Sequence, residues 1–158
     1  GVVHKVVWQE LRHVPITVKL GSKEVEIEAL LDTANHLQDP LTGENVIIVE
    51  AEALSPLLPE DFLSVVSAKE FDFSDLTLAV ANTPWANRFR LLPYTSIGME
   101  HGMLIGFRPD EVSFVQGKTK HKVEDVLIGI YQRSFPPEGE YRALMHPEIL
   151  QLAAFDAK

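Results

Sequence analysis

The sequence predicts a single, mainly β domain with short helical insertions. Apolar and polar residues alternate at 16–20 and again at 25–29, which is the two-residue period of half-buried strands. Several more short apolar segments, separated by Gly, Pro or Asn, follow between residues 76 and 131. A chain of 158 residues that is 46% hydrophobic is long enough for one core, so we expect one domain over 1–158.

The first two strands form the best-defined element, a β-hairpin whose turn contains Gly21-Ser22. The second strand continues through Leu30-Leu31 and delivers Asp32 at its end. The apolar pattern then breaks at Thr33-Ala34-Asn35, and a second turn is predicted over 39–43, where the sequence reads Asp-Pro-Leu-Thr-Gly. Asp32 is therefore expected at a junction between a strand and a loop.

The rest of the chain divides into further short elements. Residues 46–49 predict a core strand, and 50–58 and 59–66 have helical spacing, with Pro59 suited to a first helical turn. The remaining strands are predicted at 76–80, 89–92, 103–107, 112–115 and 126–131. A short C-terminal helix is expected from His146-Pro147-Glu148 to Ala154.

Composition excludes several classes of function. The chain has 14 Lys+Arg against 23 Asp+Glu, and a net charge of −9 repels nucleic acid backbones. It has no cysteine, so disulfides, thiolate nucleophiles and cysteine-based metal sites are excluded. None of its six histidines forms an HExxH pair, and neither a phosphate-binding glycine loop nor a GxSxG motif occurs. We therefore predict no metal and no cofactor, which leaves a carboxylate as the candidate catalytic group.

The candidate carboxylate is Asp32. The segment Leu30-Leu31-Asp32-Thr33-Ala34-Asn35 resembles the apolar-apolar-Asp-Thr-Gly signature of aspartic peptidases. These enzymes need two close carboxylates that share one proton, because like charges about 3 Å apart cannot both ionise. No other Asp in this chain is followed by Thr or Ser and a small residue, so the resemblance implies a homodimer with one Asp32 from each chain. Thr33, Ala34 and Asn35 would support the catalytic loop.

Two further segments resemble parts of retroviral-type aspartic peptidases. Leu127-Ile128-Gly129 is similar to the apolar-apolar-Gly segment that packs across their catalytic loop. A flap that closes over substrate is predicted between Asp32 and this segment, because its paired glycines permit a mobile hairpin tip. The flap candidates are Ser96, Ile97, Gly98, Met99 and Gly102. The resemblance implies a retropepsin-like closed β-barrel, one half of an acid protease.

Longer stretches narrow the resemblance to the sporulation sigma-E factor-processing peptidases, over about residues 20–146. The matching stretches are Ala29-Leu30-Leu31-Asp32-Thr33, Asp39-Pro40-Leu41-Thr42, Arg90-Leu91-Leu92-Pro93-Tyr94, Arg108-Pro109-Asp110-Glu111-Val112 and 140–147. This family implies a peptidase on the cytoplasmic side of the mother-cell membrane that removes the pro-segment of an inactive sigma factor, pro-sigma-E. It also implies activation by a signalling protein from the forespore.

The family further implies a membrane-embedded N-terminal half, which this sequence lacks. The chain contains no apolar run of the roughly 18 residues that a membrane span requires. Residue 1 is glycine rather than methionine, so we expect a partial or processed chain. Contact with the membrane is expected only through the missing part, and this fragment is expected to be soluble.

Two alternative functions remain open at this stage. Ala34 stands where the peptidase signature has glycine, and a methyl group there would crowd the active site if the backbone required a positive φ. The first alternative is therefore a catalytically silent, peptidase-like binding domain. The second is a β-rich interaction domain that offers its acidic surface to a basic partner. Considered alone, Asp32 also fits an Asx turn, and His36 fits an ordinary surface residue.

Overall fold

A computed structural model describes residues 13–34, 36–66, 73–81, 83–94 and 102–156. Nine strands share one sheet in this part of the chain: β1 (His13–Leu20), β2 (Lys23–Leu31), β3 (Asn45–Glu50), β4 (Phe89–Tyr94), β5 (Gly102–Phe107), β6 (Glu111–Gln116), β7 (Thr119–Val123), β8 (Val126–Tyr131) and β9 (Ala143–Met145). The α-helices are α1 (Glu60–Val66), α2 (Phe73–Ala81) and α3 (Glu148–Asp156). Short 3₁₀ turns lie at Ala51–Leu54, Ala86–Arg88 and Pro137–Gly139.

The sheet is mixed and open, with the strand order β4-β5-β8-β3-β9-β2-β1-β6-β7. The mainly β class is confirmed, whereas the closed barrel is wrong, because within the described residues β4 and β7 are the two edges of the sheet. The edge strand β7 has the sequence Thr-Lys-His-Lys-Val, and its first two residues and Lys122 are exposed. Charged residues on an edge strand disfavour pairing with a further strand.

The predicted hairpin is confirmed. β1 and β2 pair antiparallel from His13↔Leu30 to Leu20↔Lys23, and Gly21 adopts a φ of 65° in the turn between them. Glycine tolerates this left-handed conformation without the steric cost of a Cβ atom. Ile16, Val18 and Leu20 of β1 are buried and alternate with more exposed residues, as the two-residue period of the sequence predicts.

The strand predicted at 76–80 is wrong, because this segment lies inside helix α2. Leu76 and Val80 are buried while Thr77 and Leu78 are exposed, so the apolar residues follow an i, i+4 helical period. The other helices agree better with the sequence. Pro59 directly precedes α1, and the C-terminal helix is α3.

Strand β9 was not predicted from the sequence, and it lies at the centre of the sheet. It runs parallel to β2 and antiparallel to β3, between the two. The carboxyl ends of β2 and β9 therefore lie side by side, since parallel strands end on the same side. We call this place the β2–β9 end of the sheet. Asp32 and His146 are the residues that follow these two ends.

The two faces of the sheet bury different clusters. Most of the core lies on one face, where it includes Ile47 and Ile128. The residues Val46 and Leu127 point to the opposite face and form a smaller cluster with Leu92 and Leu104. Leu37, from the loop after Asp32, packs against this smaller cluster.

Candidate functional site

Asp32 begins the loop that follows β2, and its backbone is fixed by β9. Its backbone N–H donates a hydrogen bond of 2.9 Å to the carbonyl oxygen of Met145, the last residue of β9. Its side chain is half-buried at the β2–β9 end of the sheet. The carboxylate is therefore presented at the end of an interior strand, which is paired with β1 and β9, where a catalytic group can be held in a defined position.

The turn after Asp32 is an Asx turn. The backbone N–H of Ala34 donates a hydrogen bond of 2.9 Å to Oδ1 of Asp32, and both Thr33 and Ala34 are exposed. Asn35 lies outside the described residues. Among the described non-glycine residues only Asp125 and Glu140 have a positive φ, so Ala34 has a backbone conformation that suits an L-residue.

We expect Ala34→Gly to leave the activity per folded molecule unchanged. Since Ala34 is exposed and its φ is not positive, glycine relieves no strain. Glycine does add conformational freedom to the unfolded chain, so the free energy of unfolding should fall by about 0.4–1 kcal/mol. Urea denaturation and a cleavage assay at equal folded fraction would measure the two effects. A several-fold rise in activity would contradict this interpretation, because it would mean that the Ala34 methyl group obstructs the site.

The loop between Asp32 and β3 is held by a buried carboxylate, Asp39, which is 2% exposed. Its Oδ1 accepts a hydrogen bond of 3.0 Å from the backbone N–H of Leu41, and its Oδ2 accepts one of 2.7 Å from Nη1 of Arg90. The Leu41 N–H and the Arg90 guanidinium hold the pKa of Asp39 below its usual value. The predicted turn over 39–43 is present, with Gly43 at a φ of 77°.

A second ion pair holds the other end of this loop. The guanidinium of Arg108 donates two hydrogen bonds to the carboxylate of Glu44, and these bonds hold the pKa of Glu44 below its usual value. Arg90 belongs to β4 and Arg108 directly follows β5, so both lie in or next to the β4–β5 hairpin. The hairpin that carries the predicted flap is thus joined to the loop that carries Asp32.

The flap candidates at Ser96, Ile97, Gly98 and Met99 lie outside the described residues. Gly102 is the first residue of β5 and pairs with Tyr94 of β4. A Cβ atom at Gly102 would lie 2.5 Å from the Tyr94 ring, so the close approach of this ring requires glycine.

The two ion pairs predict how stability depends on pH. The folded-state pKa values of Asp39 and Glu44 lie below their unfolded values of 3.8 and 4.5, so both groups stabilise the fold above about pH 4.5. This stabilisation should disappear as the pH falls through the two folded-state pKa values. Urea denaturation between pH 7 and pH 3 would measure it, with Asp39→Asn/Glu44→Gln as the comparison. If the free energy of unfolding of this double variant fell as steeply with pH as that of the parent, Asp39 and Glu44 would not be the source of the acid sensitivity.

The predicted packing segment lies two strands away from the strand that delivers Asp32. Leu127, Ile128 and Gly129 belong to β8, which pairs with β3 and β5 and is separated from β2 by β3 and β9. Within the described residues, Leu127 is connected to the loop after Asp32 through the small cluster, against which Leu37 also packs. A Cβ atom at Gly129 would lie 3.0 Å from Val46, so glycine permits the close packing of this cluster.

Three polar side chains that share no sequence motif meet beside Asp32. Nε2 of His36 lies 3.1 Å from Oε2 of Glu148, and the rings of His36 and His146 stack with centroids 4.2 Å apart. The register of β2 and β9 places His146 next to Asp32. No local motif could reveal this cluster, because His36 and His146 meet only through the pairing of β2 with β9.

An apolar cleft of about 350 Å³ lies between helix α2 and the β4–β5 hairpin. Its lining includes Leu76, Val80, Phe89 and Ile105, together with Arg90, which also holds Asp39. Asp32 is not part of this lining. The cleft is therefore linked to the candidate site through the Arg90–Asp39 ion pair.

Comparison with known proteins identifies the family. The model of the family described as sporulation factor SpoIIGA matches residues 2–149. This chain belongs to that family. The match to the SpoIIGA family includes every described strand and the start of α3. No solved structure matches the chain.

Curated relatives of the SpoIIGA family carry names that state a function. The chain is 30% identical over 138 residues to a putative sporulation sigma factor-processing peptidase of Bacillus thuringiensis subsp. kurstaki, covering 87% of this chain and 83% of the relative. It is 29% identical to the sporulation sigma-E factor-processing peptidase of Priestia megaterium and 26% identical to that of Bacillus subtilis, in each case over 87% of this chain. The chain spans 44% of the length of each of these two relatives. Among the described residues, no helix is long and apolar enough to span a membrane.

Proposed function

We propose that this chain is an aspartic endopeptidase domain that is active as a symmetric homodimer, with one Asp32 from each copy. Its substrate is the inactive precursor of a sporulation sigma factor, pro-sigma-E, from which it removes the pro-segment. The observation that carries this proposal is the position of Asp32, at the end of a central strand in a chain of the SpoIIGA family. The names of the relatives support the substrate.

The proposed chemistry requires two carboxylates. One ionised Asp32 accepts a proton from water as the water attacks the peptide carbonyl, while the other, protonated Asp32 donates its proton to the carbonyl oxygen. One chain carries a single Asp-Thr signature, so a two-fold axis close to Asp32 supplies the second carboxylate. The two copies would then face each other through the β2–β9 end of the sheet.

The arrangement around Asp32 also supports this proposal. Strand β9 hydrogen-bonds to the Asp32 backbone and leads directly into helix α3, late in the chain. Retroviral-type peptidases support their catalytic loop with an apolar segment that comes late in the chain, which is the role predicted above for residues 127–129. The loop is further held by Arg90 and Arg108 from the hairpin that carries the predicted flap.

The alternative of a catalytically silent, peptidase-like binding domain rests on Ala34. The backbone geometry at this residue favours an active peptidase instead. Ala34 is exposed, has no positive φ and donates its N–H to Asp32. The alternative of an acidic interaction domain predicts binding that survives the loss of Asp32.

We place the full-length protein at the mother-cell membrane, with this domain on the cytoplasmic side and a forespore signalling protein as its activator.

The direct experiment uses this chain with and without a fused dimeriser, on a peptide that contains the pro-sigma-E cleavage region. The unfused chain should show a specific activity that rises with its own concentration while it is mostly monomeric, and the fusion should be active at low concentration. Sedimentation would give the mass in each sample. Constant specific activity of a monomer would contradict the shared site, and no cleavage by the fusion would contradict the peptidase assignment.

A further inference from the structure

A cluster of three potential metal ligands lies at the β2–β9 end of the sheet, next to Asp32. It consists of His36, His146 and Glu148, whose ligand atoms all lie within 4.8 Å of one another. We propose that these three side chains bind one divalent transition-metal ion of the zinc class. The site does not depend on the role of Asp32 in catalysis.

The spacing of two of the three side chains already suits such an ion. Ligand atoms of a tetrahedral zinc site lie roughly 3.3–3.5 Å apart when the metal–ligand bonds are about 2.0–2.2 Å long. Nε2 of His36 and Oε2 of Glu148 are already 3.1 Å apart. The ligand atom of His146 lies within 4.8 Å of both, and its ring stacks on that of His36 at a centroid distance of 4.2 Å and an interplanar angle of 22°. Stacked rings direct their lone pairs nearly parallel, so His146 must turn about its side-chain torsions to complete the set.

The chemistry of the ligands selects the kind of metal. Two imidazoles and one carboxylate form the His₂Glu set of zinc sites that leave a fourth position open to water. Magnesium and calcium prefer sites built from oxygen atoms, so they should bind weakly here. His36 is exposed, so an ion can reach the site from solvent.

Metal binding would replace one hydrogen bond at each of the two histidines. The side-chain oxygen of Asn45 lies 2.9 Å from Nε2 of His36, and the backbone N–H of Glu148 donates a hydrogen bond of 3.1 Å to Nδ1 of His146. A metal-bound Nε2 of His36 has no proton to donate to Asn45, and an ion on either ring nitrogen of His146 leaves Nδ1 unable to accept from Glu148, so binding replaces both hydrogen bonds. Two neutral hydrogen bonds contribute little compared with three metal–ligand bonds.

The bound ion would have a structural consequence. His36 belongs to the loop that follows Asp32, whereas Glu148 is the first residue of α3. The ion joins these two segments across the end of β9, next to the point where Met145 accepts the hydrogen bond from Asp32. Metal binding should therefore stabilise the loop that carries the candidate catalytic group.

The test is a zinc titration of the metal-stripped, untagged chain by calorimetry, with metal content measured after equilibrium dialysis. One zinc ion should bind per chain, and His36→Ala and Glu148→Gln should each weaken binding at least about tenfold. Both residues are substantially exposed, so these variants should fold. Cobalt substitution adds an optical test, since a tetrahedral cobalt site absorbs strongly in the visible range.

The matched control is His13→Ala. His13 also faces a carboxylate, Glu28 at 3.9 Å, but no second histidine completes a described cluster there. This variant should bind zinc as the parent does. The proposal is overturned if zinc does not bind stoichiometrically, if His36→Ala and Glu148→Gln bind as the parent does, or if magnesium binds as tightly as zinc.

Discussion

Replacement of Asp32 by Asn should abolish peptide cleavage and leave the fold intact. Asn has nearly the same volume as Asp, but it can neither share the proton of the dyad nor accept one from water. General acid–base groups contribute at least about 100-fold to rate, so the loss should be no smaller than this factor. The amide oxygen of Asn can still accept the 2.9 Å hydrogen bond from Ala34, which should preserve the turn.

The matched control for this variant is Asp61→Asn. Asp61 is an exposed aspartate in the first turn of α1, so its replacement changes the net charge by the same amount without touching the candidate site. Cleavage rates of both variants should be compared at equal folded fraction, measured by circular dichroism. Cleavage by Asp32→Asn at close to the parental rate would refute the catalytic role of Asp32.

Replacement of Arg90 by Met should cause one of the largest losses of stability in this domain. Asp39 is 2% exposed and would lose its guanidinium partner, which leaves a buried charge with the Leu41 N–H and the Thr42 side chain. Removing one partner of a fully buried pair costs roughly 3–5 kcal/mol. The side chain of Arg90 is 31% exposed, so we expect a smaller loss of about 2–3 kcal/mol in the free energy of unfolding.

Two comparisons sharpen this prediction. Lys122→Met breaks a surface pair with Glu111 at 3.3 Å, in which Lys122 is 63% exposed, and should cost less than about 1 kcal/mol. Adding Asp39→Asn to Arg90→Met should recover part of the loss, because it removes the unpaired buried charge. Urea denaturation of the four proteins would measure these differences. Equal losses for Arg90→Met and Lys122→Met would contradict the role given to the Asp39 ion pair.

The elements that the sequence predicts well are those with a strong local period. The β1–β2 hairpin and the strands that became β3, β4, β5, β6 and β8 follow from alternation or from short apolar segments between turn residues. The helix α2 was predicted as a strand, because a five-residue window at 76–80 is too short to separate the two periods. Strand β9 has only three residues and depends on its two neighbouring strands rather than on its own composition.

The candidate site shows the same division. Asp32 and the turn at 39–43 are local features, and both were found from the sequence. The Arg90–Asp39 and Arg108–Glu44 ion pairs join residues more than 50 positions apart, so no motif could predict them. The cluster of His36, His146 and Glu148 likewise exists only because β9 inserts between β2 and β3.

The central claim is that two copies of this chain each contribute one Asp32 to a single active site. The most direct measurement is the cleavage rate of a covalently linked tandem dimer, below the concentration at which tandems associate. We compare three tandems that carry two, one or no Asp32, with Asn replacing the missing aspartates. The shared site predicts that the tandem with one Asp32 is as inactive as the tandem with none. About half the activity of the fully parental tandem would contradict the claim, because each chain would then hold a complete site.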